Sequence, residues 1–110
     1  MKTSPTQRSL AKLRAEGWTV RVVEHWNQYA RIRQDLFGFG DLIAVKVGVP
    51  GATLVQTTTG HNLSARIAKI YGIPEAGIWK AAGNRIVAHG WRKVGERGKR
   101  KLWECREVEI

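Results

Sequence analysis

Segment 33–59 constrains the fold more than any other part of the chain. Two short apolar runs rich in β-branched residues, Leu42 to Val47 and Ala52 to Val55, flank the sequence Gly48-Val49-Pro50-Gly51. Glycine tolerates the positive φ, and proline pre-sets the negative φ, that a chain reversal needs, so the pattern predicts a β-hairpin. Asp41 stands at the start of the first strand, and Gln56, Thr57 and Thr58 at the exit of the second. Antiparallel pairing around the turn sets start and exit side by side, so a carboxylate, an amide and two hydroxyls converge at one end of the ribbon. A hard divalent cation is bound by such oxygens. Strand parity puts Asp41, Ile43, Val45 and Val47 on one face and Leu42, Ala44 and Lys46 on the other, which directs Lys46 away from the converging oxygens.

On the N-terminal side, Ser4, Pro5 and Gln7 read as a helix start, with a capping serine, a proline at the first helical position and a capping-box partner. Leu10 and Leu13 give a narrow apolar stripe, Arg8, Lys12 and Arg14 a basic surface, and Gly17 a stop. Residues 18–24 alternate as a strand, with Trp18, Val20 and Val22 on one side and Thr19, Arg21 and Val23 on the other. Between Glu24 and Gly40 the periodicity disappears, and a functional loop is expected there, with Phe37 and Phe39 anchoring it in the core and Gly38 and Gly40 allowing close backbone approach.

C-terminal to the hairpin, Leu63, Ile67 and Ile70 recur at helical spacing behind an Asn62 cap, with Arg66 and Lys69 on a different flank. Gly72 and Pro74 break that helix, and Pro74 opens a second short one that closes at Gly83. Two further strands follow, from Arg85 to Trp91 and from Leu102 to Glu109. The turn between them, with Arg92, Lys93, Arg97, Lys99 and Arg100, is the densest positive cluster in the chain. The order describes a single α/β domain over residues 1–110 built around a mixed sheet.

The charge balance selects the partner class. The 110 residues contain 19 Lys+Arg against 9 Asp+Glu, a net charge of +10, and such a field attracts polyanions, nucleic acid first. A single cysteine, Cys105, excludes an intrachain disulfide and a paired-cysteine zinc site. No apolar run approaches the roughly 20 residues that span a bilayer, and the N-terminus lacks the hydrophobic region of a signal peptide. A reducing, cytoplasmic setting without membrane attachment is expected. His25, His61 and His89 lie in or beside turns or within an apolar strand, where histidines are mostly structural; His61 is the one that follows the oxygen cluster closely.

The element order αβββαβ, with Asp41 opening the second core strand and polar residues on the third, resembles the PD-(D/E)XK nuclease superfamily. It is similar in particular to the small phage and archaeal Holliday-junction-resolvase-like members and the VRR-type nucleases. The resemblance implies a restriction-endonuclease-like core, binding of Mg²⁺ or Mn²⁺, and endonucleolytic cleavage of DNA, including branched DNA, in a chain encoded by a phage or mobile element. Asp41 matches the motif aspartate, Gln56 the (D/E) position and Thr58 the lysine position, with Glu24, or alternatively Asp35, as the additional acidic residue. The implied metal ligands are Asp41, Gln56, Glu24 and the carbonyl of Thr57. Glutamine is similar to what the Mrr-like restriction enzymes use. Threonine is neither a cation nor a base near neutral pH, so Lys69 or Arg66 from the following helix is the expected substitute. Tyr29, Trp26, Arg31 and Arg33 would meet bases or phosphates, as would Arg66, Arg92, Lys93, Arg97, Lys99 and Arg100. Junction-cutting relatives imply a homodimer. A DNA-binding protein without cleavage and an interaction module of a mobile element are the competing expectations.

Overall fold

Ser4 caps the first helix as the sequence predicts. Its Oγ accepts from the Gln7 amide at 3.2 Å, and Pro5 takes the first helical position of α1, Pro5–Ala15. This is seen in a computed structural model that describes residues 3–95, 98 and 102–110. Strands β1 (Thr19–Val22), β2 (His25–Asn27), β3 (Ile32–Gln34), β4 (Leu42–Val45) and β5 (Thr53–Thr59) follow. A single 3-10 turn, Gly60–Asn62, runs directly into α2 (Leu63–Tyr71), and α3 (Pro74–Ala81), β6 (Arg85–Val94) and β7 (Leu102–Glu109) complete the chain.

The architecture is α/β, with a mixed five-stranded sheet in the order β1-β4-β5-β6-β7. Neighbours are antiparallel except β5 and β6, which run parallel because α2 and α3 form the crossover between them. Taken through α1, β1, β4, β5, α2 and β6, the main elements follow the expected αβββαβ order. The core is split by the sheet. Leu10, Leu13, Val20, Leu42, Ala44 and Val55 pack under α1, with Trp18 against them. Phe39, Leu54, Ile70, Ala76 and Ile86 pack on the opposite face, under α2 and α3. Strand alternation explains the split: Leu42 and Ala44 face α1 while Ile43, between them, faces α2 and α3. Among the described residues no helix is long and apolar enough to cross a membrane.

Several boundaries differ from the sequence reading. Residues 25–40 are not one long loop: β2 and β3 form a separate two-stranded sheet, pairing Trp26 with Arg33. Strand β4 ends at Val45 rather than Val47, β1 spans four residues, and β5 extends to Thr59, so Gln56, Thr57 and Thr58 lie within the strand instead of at its exit. That extension is held by the parallel ladder with β6, in which Gln56, Thr57 and Thr58 pair with Ala88, His89 and Gly90. Asn62 provides no side-chain cap, because the 3-10 turn precedes α2. Phe39 is fully buried as expected, whereas Phe37 is half-exposed, with φ 56° and its ring tilted against Trp79.

Gly40 is required by packing: a Cβ there would stand 2.7 Å from Leu54 Cδ2. The close approach seats residues 36–40 on the sheet, where the Leu36 and Gly40 backbones exchange hydrogen bonds of 2.8 and 2.9 Å.

Candidate functional site

That tight loop sets Asp35 and Asp41 on its two flanks. Asp41 also fixes Glu24 through its backbone, since its carbonyl accepts from the amides of Val23 at 2.9 Å and Glu24 at 3.3 Å. As a result Glu24, Asp35 and Asp41 each bring a carboxylate oxygen within 4.8 Å of the others. The sequence left Glu24 and Asp35 as alternatives; the fold supplies both.

Asp41 and Gln56 meet as the hairpin geometry predicts. Gln56 Nε2 donates to Asp41 Oδ2 at 2.8 Å, and the same oxygen accepts from the Thr57 amide at 2.7 Å and from Thr57 Oγ1 at 3.1 Å. Gln56 Nε2 also donates to the Thr57 carbonyl at 3.2 Å. The amide nitrogen is therefore committed within the protein, and the side-chain oxygen is the group Gln56 can offer to a cation. The Thr57 carbonyl, expected as a ligand, already accepts this bond. Asp41 and Gln56 are each only 4% exposed, yet both line an open pocket of about 240 Å³ with Pro5, Thr6, Glu24, Asp35, Thr57 and Arg66.

The electrostatics are those of crowded carboxylates. Burial pushes the Asp41 carboxyl up to about 8, Asp35 adds to the rise by hydrogen bonding and repulsion and Glu24 by repulsion, and the Thr57 amide opposes it. Arg33 offsets part of the negative charge, its Nη1 lying 3.5 Å from Glu24 Oε1.

The other expected residues are distributed as follows. Arg66 lines the pocket from α2, whereas Lys69, one turn further along, does not, so of the two expected substitutes the helix delivers the guanidinium. Thr58 is buried on β5 and also lies outside the pocket lining. Lys46 is at the far end of the ribbon, where its Nζ donates to the Glu16 carbonyl at 2.8 Å. Tyr29 and Arg31 are exposed between β2 and β3, and Arg33 and Trp26 face each other across that ribbon. Arg92 and Lys93 lie on β6 beyond the residues that pair with Gln56 and Thr57, at the same end of the parallel pair as the pocket. Lys93 and Arg8 both stack on Trp103, at 5.4 and 3.8 Å from the ring centre. Arg97, Lys99 and Arg100 lie outside the described residues.

Thr6 is the site residue the sequence did not reveal. Its Oγ1 lies 2.7 Å from Thr57 Oγ1, joining α1 to the carboxylate network. A polar residue on the inner side of a helix start was the available signal.

A second polar network, between α1 and β6, is structural. His89 is fully buried, with Nδ1 2.8 Å from Ser9 Oγ and Nε2 2.9 Å from Glu107 Oε1, and Trp91 Nε1 donates to Ser9 Oγ at 2.8 Å. Ser9 is sealed from solvent and cannot meet a substrate. Burial also raises the Cys105 thiol to about 11, which keeps it protonated and unreactive near neutral pH.

No family model, curated protein or solved structure matches the chain.

Proposed function

We propose that the chain is a metal-dependent endonuclease acting on DNA, with its active centre in the pocket around Asp41. The observation that carries this reading is the convergence of the Glu24, Asp35 and Asp41 carboxylates beside Gln56 in a chain of net charge +10. The donor set fits a hard divalent cation: all the groups are oxygens, and although burial is the main cause of the raised Asp41 carboxyl, the repulsion that Asp35 and Glu24 add is what a cation relieves. Glu24, Asp35, Asp41 and the side-chain oxygen of Gln56 would hold Mg²⁺ or Mn²⁺. When bound, such an ion supplies Lewis-acid polarisation of the phosphate and a lowered pKa for an attacking water.

The chain's own residues supply the rest. Thr57 and Gln56 hold Asp41 Oδ2 by three hydrogen bonds, which fixes the carboxylate. Arg66 brings a permanent positive charge with a forked donor set, suited to non-bridging phosphate oxygens. Arg92 and Lys93, at the same end of the sheet, extend the electrostatic track for the strand.

One observation favours a DNA-binding protein without cleavage: among the described residues, none that lines the pocket is a lysine. Incubation of the protein with duplex, single-stranded and four-way-junction DNA in Mg²⁺, Mn²⁺ or EDTA separates the two readings. Metal-dependent cleavage that is lost in Asp41→Ala, with the fold retained, supports the nuclease. Cleavage that persists in that variant removes the proposed centre. Salt-sensitive binding with no product in either metal supports the binding protein. Sedimentation with junction DNA tests the homodimer that symmetric cutting would require.

A further inference from the structure

The β2–β3 ribbon stands apart from the main sheet and grows directly out of the carboxylate cluster, Glu24 preceding β2 and Asp35 following β3. Its register pairs His25 with Gln34, Trp26 with Arg33 and Asn27 with Ile32. Continued by one step, it sets Glu24 opposite Asp35, as their joint presence in the cluster requires. Side chains two apart share a face of a strand, so Glu24, Trp26, Arg33 and Asp35 lie on one face, and the Arg33–Glu24 contact of 3.5 Å agrees. Along that face the carboxylates of Glu24 and Asp35 give way to a paired guanidinium and indole, Arg33 opposite Trp26.

The tip is built to present an aromatic ring. Asn27 Oδ1 accepts from the amides of Tyr29 and Ala30, both at 3.0 Å, and Arg31 adopts φ 55°, unusual for a side chain of its size. This ordered turn leaves Tyr29 91% exposed and Trp26 58% exposed, so neither ring is spent on the core. Rings displayed on a defined backbone between arginines, in a chain of net charge +10, match unpaired nucleobases on a phosphate strand.

We propose that the β2–β3 ribbon is a grip for single-stranded DNA, and that the substrate class is DNA with an unpaired segment beside the scissile phosphate. Arg33 meets the backbone, and Trp26 and Tyr29 stack on successive unpaired bases. Three residues of strand at about 3.3 Å each put the tip roughly 10 Å beyond the carboxylates, about three base steps of duplex rise. The substrate assignment rests on the nuclease reading; the grip itself does not.

The test measures binding and cleavage separately. Fluorescence anisotropy in EDTA compares a labelled 20-nucleotide single strand with a blunt duplex of equal length, for wild type and for Trp26→Ala, Tyr29→Ala and Tyr29→Phe. The expected result is tighter binding of the single strand, weakened about 5- to 150-fold in each alanine variant and retained in Tyr29→Phe, so that the preference over duplex falls toward one. Equal losses on both DNAs, or no loss, overturn the grip. So does loss of self-association by Tyr29→Ala in sedimentation without an effect on DNA, which would assign the tip to a second copy. Circular dichroism melting of each variant separates these outcomes from misfolding. The cleavage arm uses a flush duplex and a duplex with a single-stranded flap, in Mg²⁺ and Mn²⁺. Absence of any product with the binding pattern intact rejects the nuclease and keeps the grip. Equal cleavage of both substrates, unaltered in preference by Tyr29→Ala, rejects the grip and keeps the nuclease.

Discussion

Gln56 Nε2 lies 2.8 Å from Asp41 Oδ2, so a neutral amide donates where a carboxylate would repel. That one bond lets the buried end of the hairpin close without a cation. Gln56→Glu removes the donor and adds a fourth acid to the Glu24, Asp35 and Asp41 cluster. The variant should melt at a lower temperature than wild type in EDTA above about pH 8, where Asp41 is ionised, and recover in millimolar Mg²⁺ or Mn²⁺, with a larger metal-induced rise than wild type shows. Differential scanning fluorimetry with and without metal checks this, and an unchanged melting temperature in EDTA would mean that the contact does not govern closure.

Asp41 imposes a pH dependence of definite sign on the metal-free protein. Its carboxyl is raised from 3.8 to about 8, mainly by burial, so the folded state holds a proton that the unfolded state has released across that interval. The contribution is fully present below about pH 4 and is lost as pH rises through about 8. Asp41→Asn should flatten this part of the urea-unfolding profile. If Mg²⁺ or Mn²⁺ binds at the proposed centre it must displace the same proton, so calorimetry in buffers of different ionisation enthalpy should show proton release and an affinity that climbs up to about pH 8.

Arg66 and Lys69 are separated by one helical turn, and only Arg66 lines the pocket. If phosphate binds there, Arg66→Ala should lower kcat/KM for cleavage by about 10²- to 10³-fold, the range for removing a group that stabilises developing charge. Lys69→Ala should leave it within about threefold, in keeping with a solvated surface charge. The reverse order in parallel single-turnover assays would restore Lys69 as the acting cation.

What the sequence disclosed follows the range of the interactions involved. The Gly48–Gly51 turn and the Asp41–Gln56 encounter were legible because turn chemistry and strand parity are local. The β2–β3 ribbon was not, since strands of three residues carry too little periodicity to register, and Asp35 could not be set beside Glu24 without that ribbon. The polar run at 56–58 read as a strand exit because its partner, β6, lies some thirty residues away in sequence, as the pairing of Gln56 with Ala88 records. Thr6 depended on α1 docking against β5, a relation that only tertiary packing specifies. The oxygens were therefore visible in the sequence, while the full acidic set and the ribbon that assembles it were not.

The Ser9, His89, Trp91 and Glu107 network supplies the last prediction, which concerns stability and leaves the pocket untouched. Glu107 accepts from His89 Nε2, so a neutral ring carries its proton there and must accept at Nδ1 from the Ser9 hydroxyl, which itself accepts from Trp91. Burial lowers the His89 pKa below 6.5, although Glu107 opposes the shift. The stabilising contribution is thus complete above about pH 6.5 and is lost as pH falls through the depressed folded value, the opposite slope to that from Asp41. Ser9→Ala strands the Trp91 donor and the His89 acceptor together and should cost about 1–3 kcal/mol at pH 7.5. Ser9→Thr offers the same hydroxyl and should recover part of that loss if the added methyl is accommodated. Equilibrium urea unfolding of both variants at pH 5.5 and 7.5 measures the effect, and a Ser9→Ala protein as stable as wild type at pH 7.5 would show that the network is not holding α1 to the sheet.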